Sequence, residues 1–224
     1  MRKQTLLALV AMAALSILAA SPAYATNINP GQSVIPTATA TNPLTAPGTT
    51  VIDHIGPANA SNSFAGVNLN VTYDSWVVKD NTTGNLSFVY QFTNNDTSNT
   101  VVERTSHFNF DGFTTDVSSF TGSGSVAPTG ATRSASGGTV GFEYLASGNV
   151  APGQQSMVEI IATNATTYQT GTFTFQDGVT VTAAAFAPTS FHPDVPEPAS
   201  LVLLGSALAG LGVARWRRAG VKTV

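Results

Sequence analysis

The stretch NLSFVYQF, residues 85–92, decides the fold class. Large apolar or aromatic side chains stand at every second position, with Ser87 and Gln91 among the residues between them. This period of two is typical of a β-strand with one buried and one exposed face. The stretch therefore predicts four side chains that face a core: Leu86, Phe88, Tyr90 and Phe92.

The same alternation recurs over residues 67–73 and 172–175. Further β-rich runs lie at 73–79, 101–110, 139–144, 157–163 and 179–186, and turn-forming sequences separate them. Asp177 and Gly178 lie between two such runs, which is typical of a tight hairpin. The sequence therefore predicts an all-β fold, an antiparallel β-sandwich of about 8–9 strands. We expect a signal helix before this fold and a membrane helix after it.

Two segments and one histidine receive separate predictions. Residues 26–50 are rich in Thr, Ala and Pro, which predicts an extended arm with a strand at 32–35. Residues 121–138 are rich in Gly, Ser and Thr, which predicts a long surface loop. His107 lies in an alternating run, opposite in phase to Phe108 and Phe110, which predicts that it lies on the outer face of a strand.

The N-terminus has the features of a secretory signal peptide. Arg2 and Lys3 form a positive start, and residues 6–20 are almost entirely apolar. Ala23 and Ala25 place small residues at the two positions that a signal peptidase recognises. We therefore predict cleavage after Ala25, with an uncut membrane anchor as the alternative.

Residues 199–214 form an apolar stretch near the C-terminus. As a helix at ~1.5 Å per residue they would span about 24 Å, less than a ~30 Å hydrocarbon core. Arg215, Arg217 and Arg218 follow directly, with Trp216 among them. Cations beside an interfacial aromatic residue are typical of a stop-transfer signal with a cytoplasmic C-terminus. The flanking residues thus predict a membrane helix followed by a cytoplasmic tail at 219–224.

Pro196, Glu197 and Pro198 precede this apolar stretch, and the arginine cluster follows it. In this order, residues 195–218 resemble the PEP-CTERM sorting signal of Gram-negative bacteria. The resemblance implies that an inner-membrane exosortase recognises the Pro-Glu-Pro motif, removes the tail and passes the protein toward the cell surface or the exopolysaccharide matrix. An ordinary tail-anchored periplasmic protein is the alternative.

The charge of the body between the two ends is strongly negative. Residues 26–194 hold three cations, Lys79, Arg104 and Arg133, against eleven carboxylates, which gives a net charge of −8 where the whole chain has −3. Nucleic acid and anionic lipid would repel such a body, so neither is predicted as a partner. The chain has no cysteine, which excludes disulfides and thiol chemistry.

No enzyme or cofactor is predicted, because the sequence contains no G-x-S-x-G, HExxH or P-loop motif. Two oxygen-rich loops contain candidate calcium ligands, since Ca²⁺ prefers oxygen atoms. Neither loop has the EF-hand pattern, and Asn and Asp are also common in turns. The prediction is therefore no metal, with calcium as the alternative at four residues: Asn94, Asp96, Asp111 and Asp116.

Trp76 is the candidate for stacking on a sugar ring, and the same residue is also a candidate for the core. Asn-x-Ser/Thr sequences occur at Asn59, Asn70, Asn81, Asn85, Asn95 and Asn164, and the abundance of Asn and Thr explains them by chance.

The sequence thus predicts a signal peptide (1–25), an arm (26–50), a β-sandwich domain (51–194), a sorting signal (195–218) and a cytoplasmic tail (219–224). Its processing partners would be a signal peptidase and an exosortase, with transient anchoring in the inner membrane. The predicted function is a structural or adhesive role in the envelope, a biofilm or the exopolysaccharide matrix. The alternative is a non-catalytic carbohydrate-binding module for exopolysaccharide.

Overall fold

The computed structural model describes residues 25–145 and 148–189. The predicted signal helix, the membrane helix and the cytoplasmic tail lie outside these residues. The described part contains no α-helix. It contains thirteen strands: β1 (Thr26–Asn27), β2 (Ser33–Val34), β3 (Thr37–Thr39), β4 (Thr49–Phe64), β5 (Val67–Asp80), β6 (Leu86–Asn94), β7 (Arg104–Phe108), β8 (Thr115–Phe120), β9 (Gly130–Arg133), β10 (Thr139–Glu143), β11 (Val158–Thr163), β12 (Tyr168–Asp177) and β13 (Val179–Pro188).

The strands form two sheets. The seven-stranded sheet has the order β1-β8-β11-β6-β5-β4, and β3 also pairs with β8. The six-stranded sheet has the order β13-β12-β7-β10-β9-β2. The strand pairs are antiparallel apart from the parallel pair β3–β8. The all-β, antiparallel prediction is confirmed, and the strands in the described part outnumber the expected eight or nine because several are only two to four residues long.

The inward side chains of both sheets form one hydrophobic core. From the seven-stranded sheet, Phe92 meets Phe175 of the six-stranded sheet with ring centroids 5.1 Å apart. The four alternating side chains of β6 are all buried in this core, which confirms the prediction from residues 85–92: Leu86, Phe88, Tyr90 and Phe92.

A second, smaller apolar cluster lies on the outer face of the seven-stranded sheet. It joins Val89 of β6 to Val78, Phe120, Val158 and Ile160. Leu44, from the connection between β3 and β4, packs against it. β6 is therefore buried on both faces, and the expected exposed face of this strand is wrong.

The longest strand, β4, has no alternating pattern in the sequence. Its pairing with β5 shifts register twice, between Val51 and Asp53 and between Ile55 and Ala58. Gly56 lies within the second shift at φ 124°, and a Cβ there would come within 2.6 Å of the Tyr73 carbonyl oxygen. A proline inside a strand is tolerated at a sheet edge, which is where β4 and Pro57 lie.

The predicted outward position of His107 is wrong. β7 ends at Phe108, and Asn109 follows with φ 73°, so the alternation does not continue to Phe110. Phe108 lies on the outer face and Phe110 enters the core, while His107 faces inward and is buried.

The predicted surface loop at residues 121–138 is also wrong in part. It contains β9 and the buried Arg133, whose guanidinium donates to four backbone carbonyls of residues 28, 110, 113 and 137 at 2.8–3.0 Å. Burial lowers the pKa of Arg133. One buried cation thus joins three chain segments, at residues 28, 110–113 and 133–137.

Residues 26–50 contribute three short strands to the two sheets. β1 and β3 pair with β8, and β2 pairs with β9. The strand expected at 32–35 is present as Ser33–Val34, and Ile28 is buried in the core.

Candidate functional site

The predicted sorting signal and most of the predicted signal peptide lie outside the described part of the chain. This applies to Ala23, Pro196, Glu197 and Pro198, and to the stop-transfer cluster Arg215, Arg217 and Arg218. Ala25, the predicted last residue of the signal peptide, is the first described residue.

The candidate calcium ligands are distributed over the fold. Asn94 is buried at the end of β6, where its amide nitrogen donates to the carbonyl oxygens of Thr100 and Val150, each at 2.9 Å. Asp116 accepts from Asn27 at 2.8 Å and lies in the row of the sheet that contains residue 87. Seven residues of strand separate that row from Asn94, about 23 Å at ~3.3 Å per residue. Within the described residues, no group of three or more His, Asp or Glu side chains converges as metal ligands do.

Trp76 lies on the outer face of the seven-stranded sheet, partly buried against the Val89 cluster. Its ring stacks on His54 of the neighbouring strand, with centroids 5.0 Å apart and an interplanar angle of 2°. His54 Nε2 in turn lies 2.8 Å from Asp74 Oδ1. One face of the indole is therefore covered by protein.

A buried polar cluster joins the two sheets inside the core. Glu159 of β11 accepts hydrogen bonds from the hydroxyls of Thr105 and Tyr144, both at 2.7 Å. Its second oxygen lies 2.8 Å from His107 Nε2. Burial, followed by the charge of Glu159, raises the pKa values of Tyr144 and Tyr90 well above the usual range of tyrosine. The cluster is sealed from solvent, and its hydrogen bonds connect the two sheets.

Arg104 lies on the outer face of the six-stranded sheet, across Gly141, where a Cβ would clash with the guanidinium. It pairs with Glu143 at 2.6 Å and donates to the hydroxyls of Thr132 at 2.8 Å and Ser106 at 3.2 Å. A cavity of about 480 Å³ adjoins it. Because three of its donors already have protein partners, Arg104 acts mainly as a clamp across three strands.

A solvent-accessible recess lies on the seven-stranded sheet near the β4–β5 turn. This recess has a volume of about 330 Å³ and is lined by uncharged residues. We call it the amide groove and define it by its lining: Asn59, Ala60, Ser61, Asn70, Val71, Asn95 and Thr97.

Thr72 orients two carboxamides of the amide groove. Its Oγ1 lies 2.7 Å from Asn59 Oδ1 and 3.1 Å from Asn95 Oδ1. A hydroxyl has one proton, so it donates to one carboxamide and accepts from the other once that group is rotated. On the groove's remaining asparagine, Asn70 Nδ2 donates to Thr97 Oγ1 at 3.1 Å. The three carboxamides are thus fixed by hydrogen bonds within the protein.

A sequence pattern recurs in the lining of this groove. Three of the six Asn-x-Ser/Thr sequences, those that begin at Asn59, Asn70 and Asn95, meet in it. In a strand, residues i and i+2 lie on the same face, so the sequences in β4 and β5 each place an amide and a hydroxyl side by side, while the third lies in the turn after β6. Pairing of β4 with β5 then brings two of these pairs together in register, Ser61 opposite Asn70 and Asn59 opposite Thr72.

Comparison with known proteins identifies the C-terminal segment. Residues 194–218 match the family described as the PEP-CTERM protein-sorting motif. The chain carries a PEP-CTERM sorting motif. No curated protein and no solved structure matches the chain.

The PEP-CTERM motif implies an exported protein that an exosortase processes at the membrane, with anchored transit before surface release. The PEP-CTERM match begins beyond the last described residue, so it leaves the two sheets unassigned. Across 25–145 and 148–189, no helix has the length and apolar character needed to cross a membrane.

Proposed function

We propose that the processed protein is a β-sandwich with a non-catalytic structural or adhesive role at the cell surface or in the extracellular matrix. The observation that carries this proposal is the arrangement of its polar groups. The acid–base cluster of Glu159 and His107 is sealed in the core, whereas the amide groove on the surface presents only uncharged side chains. An acid–base pair that no substrate can reach cannot catalyse a reaction. The neutral amides and hydroxyls of the groove suit contact with a hydrated matrix.

The export route supports the same role. The PEP-CTERM motif implies delivery through the membrane with removal of the tail. The body between residues 26 and 194 is negative and has three cations, so it repels anionic lipid and nucleic acid. Neutral polymers are not repelled and are the favoured partners. A Gram-negative envelope and an exopolysaccharide matrix are the setting that we propose for it.

The test compares cells that express the protein with cells from which its gene is deleted. We expect the processed protein in the surface or matrix fraction, and we expect deletion to weaken adhesion or matrix cohesion. Recovery of the protein only from the periplasm, or unchanged cohesion after deletion, would contradict the proposal.

A carbohydrate-binding role is the second candidate, and the amide groove favours it. Binding of a matrix polysaccharide would also explain how a structural protein stays attached after its tail is removed.

A further inference from the structure

The amide groove is formed by the paired strands β4 and β5 and by the turn after β6. Two of its segments contribute an amide and a hydroxyl two residues apart, and behind the third amide, Asn70, the hydroxyl of Thr72 contacts the other two carboxamides. Within the described part of the chain, no hydrogen bond uses the second carboxamide atom of Asn59 or Asn95. Each of these residues therefore keeps one free donor or acceptor at a position that Thr72 fixes.

The chemistry of the groove selects a class of ligand. A carboxamide offers a donor and an acceptor side by side, which suits neighbouring hydroxyl groups on a sugar ring. The lining contains no charged side chain, and the surrounding body is negative. An anionic polymer would be repelled by that field, whereas a neutral one would not. Groups held in place before binding also lose less conformational freedom when the ligand arrives.

We propose that the amide groove binds a neutral polysaccharide through Asn59, Asn70 and Asn95. This inference rests on the proposed surface or matrix role, because that role supplies the polymer. Thr72 acts as a positioning residue, since its hydroxyl orients two of the carboxamides.

The test is affinity electrophoresis of the processed protein through gels that contain dextran, a neutral galactomannan or anionic alginate. We expect retardation by at least one of the two neutral polymers and none by alginate. Because the contacts are uncharged, raising the salt concentration should leave the retardation nearly unchanged. Retardation by alginate alone, or by none of the three polymers, overturns the proposal.

Three substitutions locate the site. Asn70→Ala removes a groove amide, and Asn95→Asp keeps its size while it replaces the donor with a negative charge. Each should weaken binding by about tenfold or more, as the loss of one or two hydrogen bonds does. Thr72→Val keeps the shape of the side chain but releases both carboxamides, so it should weaken binding without removing a ligand contact. Equal retardation of all three variants and the wild type overturns the assignment of the site.

Asn81→Ala is the matched control. Asn81 is an exposed asparagine just beyond the far end of β5, eleven residues from Asn70 and therefore about 36 Å away along the strand. Its variant should bind as the wild type does. Thermal melts confirm that each variant is folded. Intact mass measurement excludes a glycan on Asn59, Asn70 or Asn95, and finding one there would overturn the proposal because the groove would be filled.

The cellular experiment separates this proposal from the proposed function. If deletion weakens adhesion but the Asn70→Ala strain adheres normally, the groove assignment fails while the adhesive role stands. If deletion has no effect although the purified protein binds a neutral polymer through the groove, the adhesive role fails instead.

Discussion

His107 and Glu159 face each other between the two sheets, with Nε2 and Oε2 2.8 Å apart and their side chains 1% and 0% exposed. The imidazole also stacks on Phe173 at 4.5 Å between ring centroids. Glu159 also contacts two hydroxyls, so three side chains surround its carboxyl group. Thr105 and His107 lie in β7 of the facing sheet, and Tyr144 directly follows β10. These hydrogen bonds offset part of the large cost of desolvating the carboxyl group.

Removing the acceptor should therefore destabilise the fold strongly. We expect Glu159→Leu to lower the free energy of unfolding by about 3–5 kcal/mol, because it leaves several buried donors without a partner. The control is Glu143→Leu, which breaks the partly exposed pair with Arg104. That change should cost about 1 kcal/mol or less. Urea unfolding of the processed protein measures both, and equal losses would show that the core cluster has no special role.

The buried tyrosines predict a loss of stability at alkaline pH. Burial raises the pKa values of Tyr90 and Tyr144 in the folded state, whereas an unfolded tyrosine titrates near pH ~10. The stability that these protonated phenols contribute is fully present below pH ~10. It is lost as the pH rises further, because the unfolded chain then binds fewer protons than the folded protein does. Urea unfolding at several pH values between about 8 and 11 measures this slope.

A variant and a spectrum test the assignment of that slope. Tyr144→Phe removes one of the two groups and should make the decline with pH shallower, even if the variant is less stable throughout. In the native protein, absorbance at 295 nm should show that these two phenols do not ionise near pH ~10. Normal ionisation of every tyrosine in the folded protein would contradict the burial that the structure shows.

The faces of β6 provide a stability prediction with an internal control. Phe88 is fully buried between the sheets, and Phe88→Ala should cost about 3–5 kcal/mol. The adjacent Ser87 lies on the outer face and is only partly buried, so Ser87→Ala should cost about 0.5 kcal/mol or less. Thermal or urea melts of the two variants compare them directly, and a similar loss at both positions would contradict the orientation of this strand.

Alternating strands were predictable, because a large side chain at every second residue has few interpretations other than a half-buried strand. β4 was not, since two register shifts, one of them at Gly56 and Pro57, erase the period of two. The predicted orientation of His107 was wrong for a local reason. The backbone at Asn109 breaks the alternation, so the inward position of Phe110 does not indicate the face on which His107 lies.

The amide groove was present in the sequence but not recognisable there. Its asparagines lie in separate segments, and only the pairing of β4 with β5 and the turn after β6 bring them together. The sorting motif is different, because it is read as a continuous segment and depends on no tertiary contact.

The PEP-CTERM motif predicts that Glu197 is needed for processing. Glu197→Ala should block removal of the tail and leave a longer form in the membrane fraction. Mass spectrometry of the released and membrane-bound protein measures the mature C-terminus. Released wild-type protein that still contains residues 215–218 would contradict exosortase processing of this chain.

Trp76 predicts a result that separates packing from binding. The ring stacks on His54 and packs against the Val89 cluster, but it remains partly exposed. Trp76→Ala should therefore lower the free energy of unfolding by about 1–3 kcal/mol, less than the loss of a fully buried ring. Six residues of β5 separate Trp76 from Asn70, about 20 Å along the strand. Without urea, where the variant is folded, neutral polysaccharide should therefore retard the variant and the wild type equally. Loss of retardation with unchanged stability would instead place the sugar on the indole, and the amide groove would not be the site.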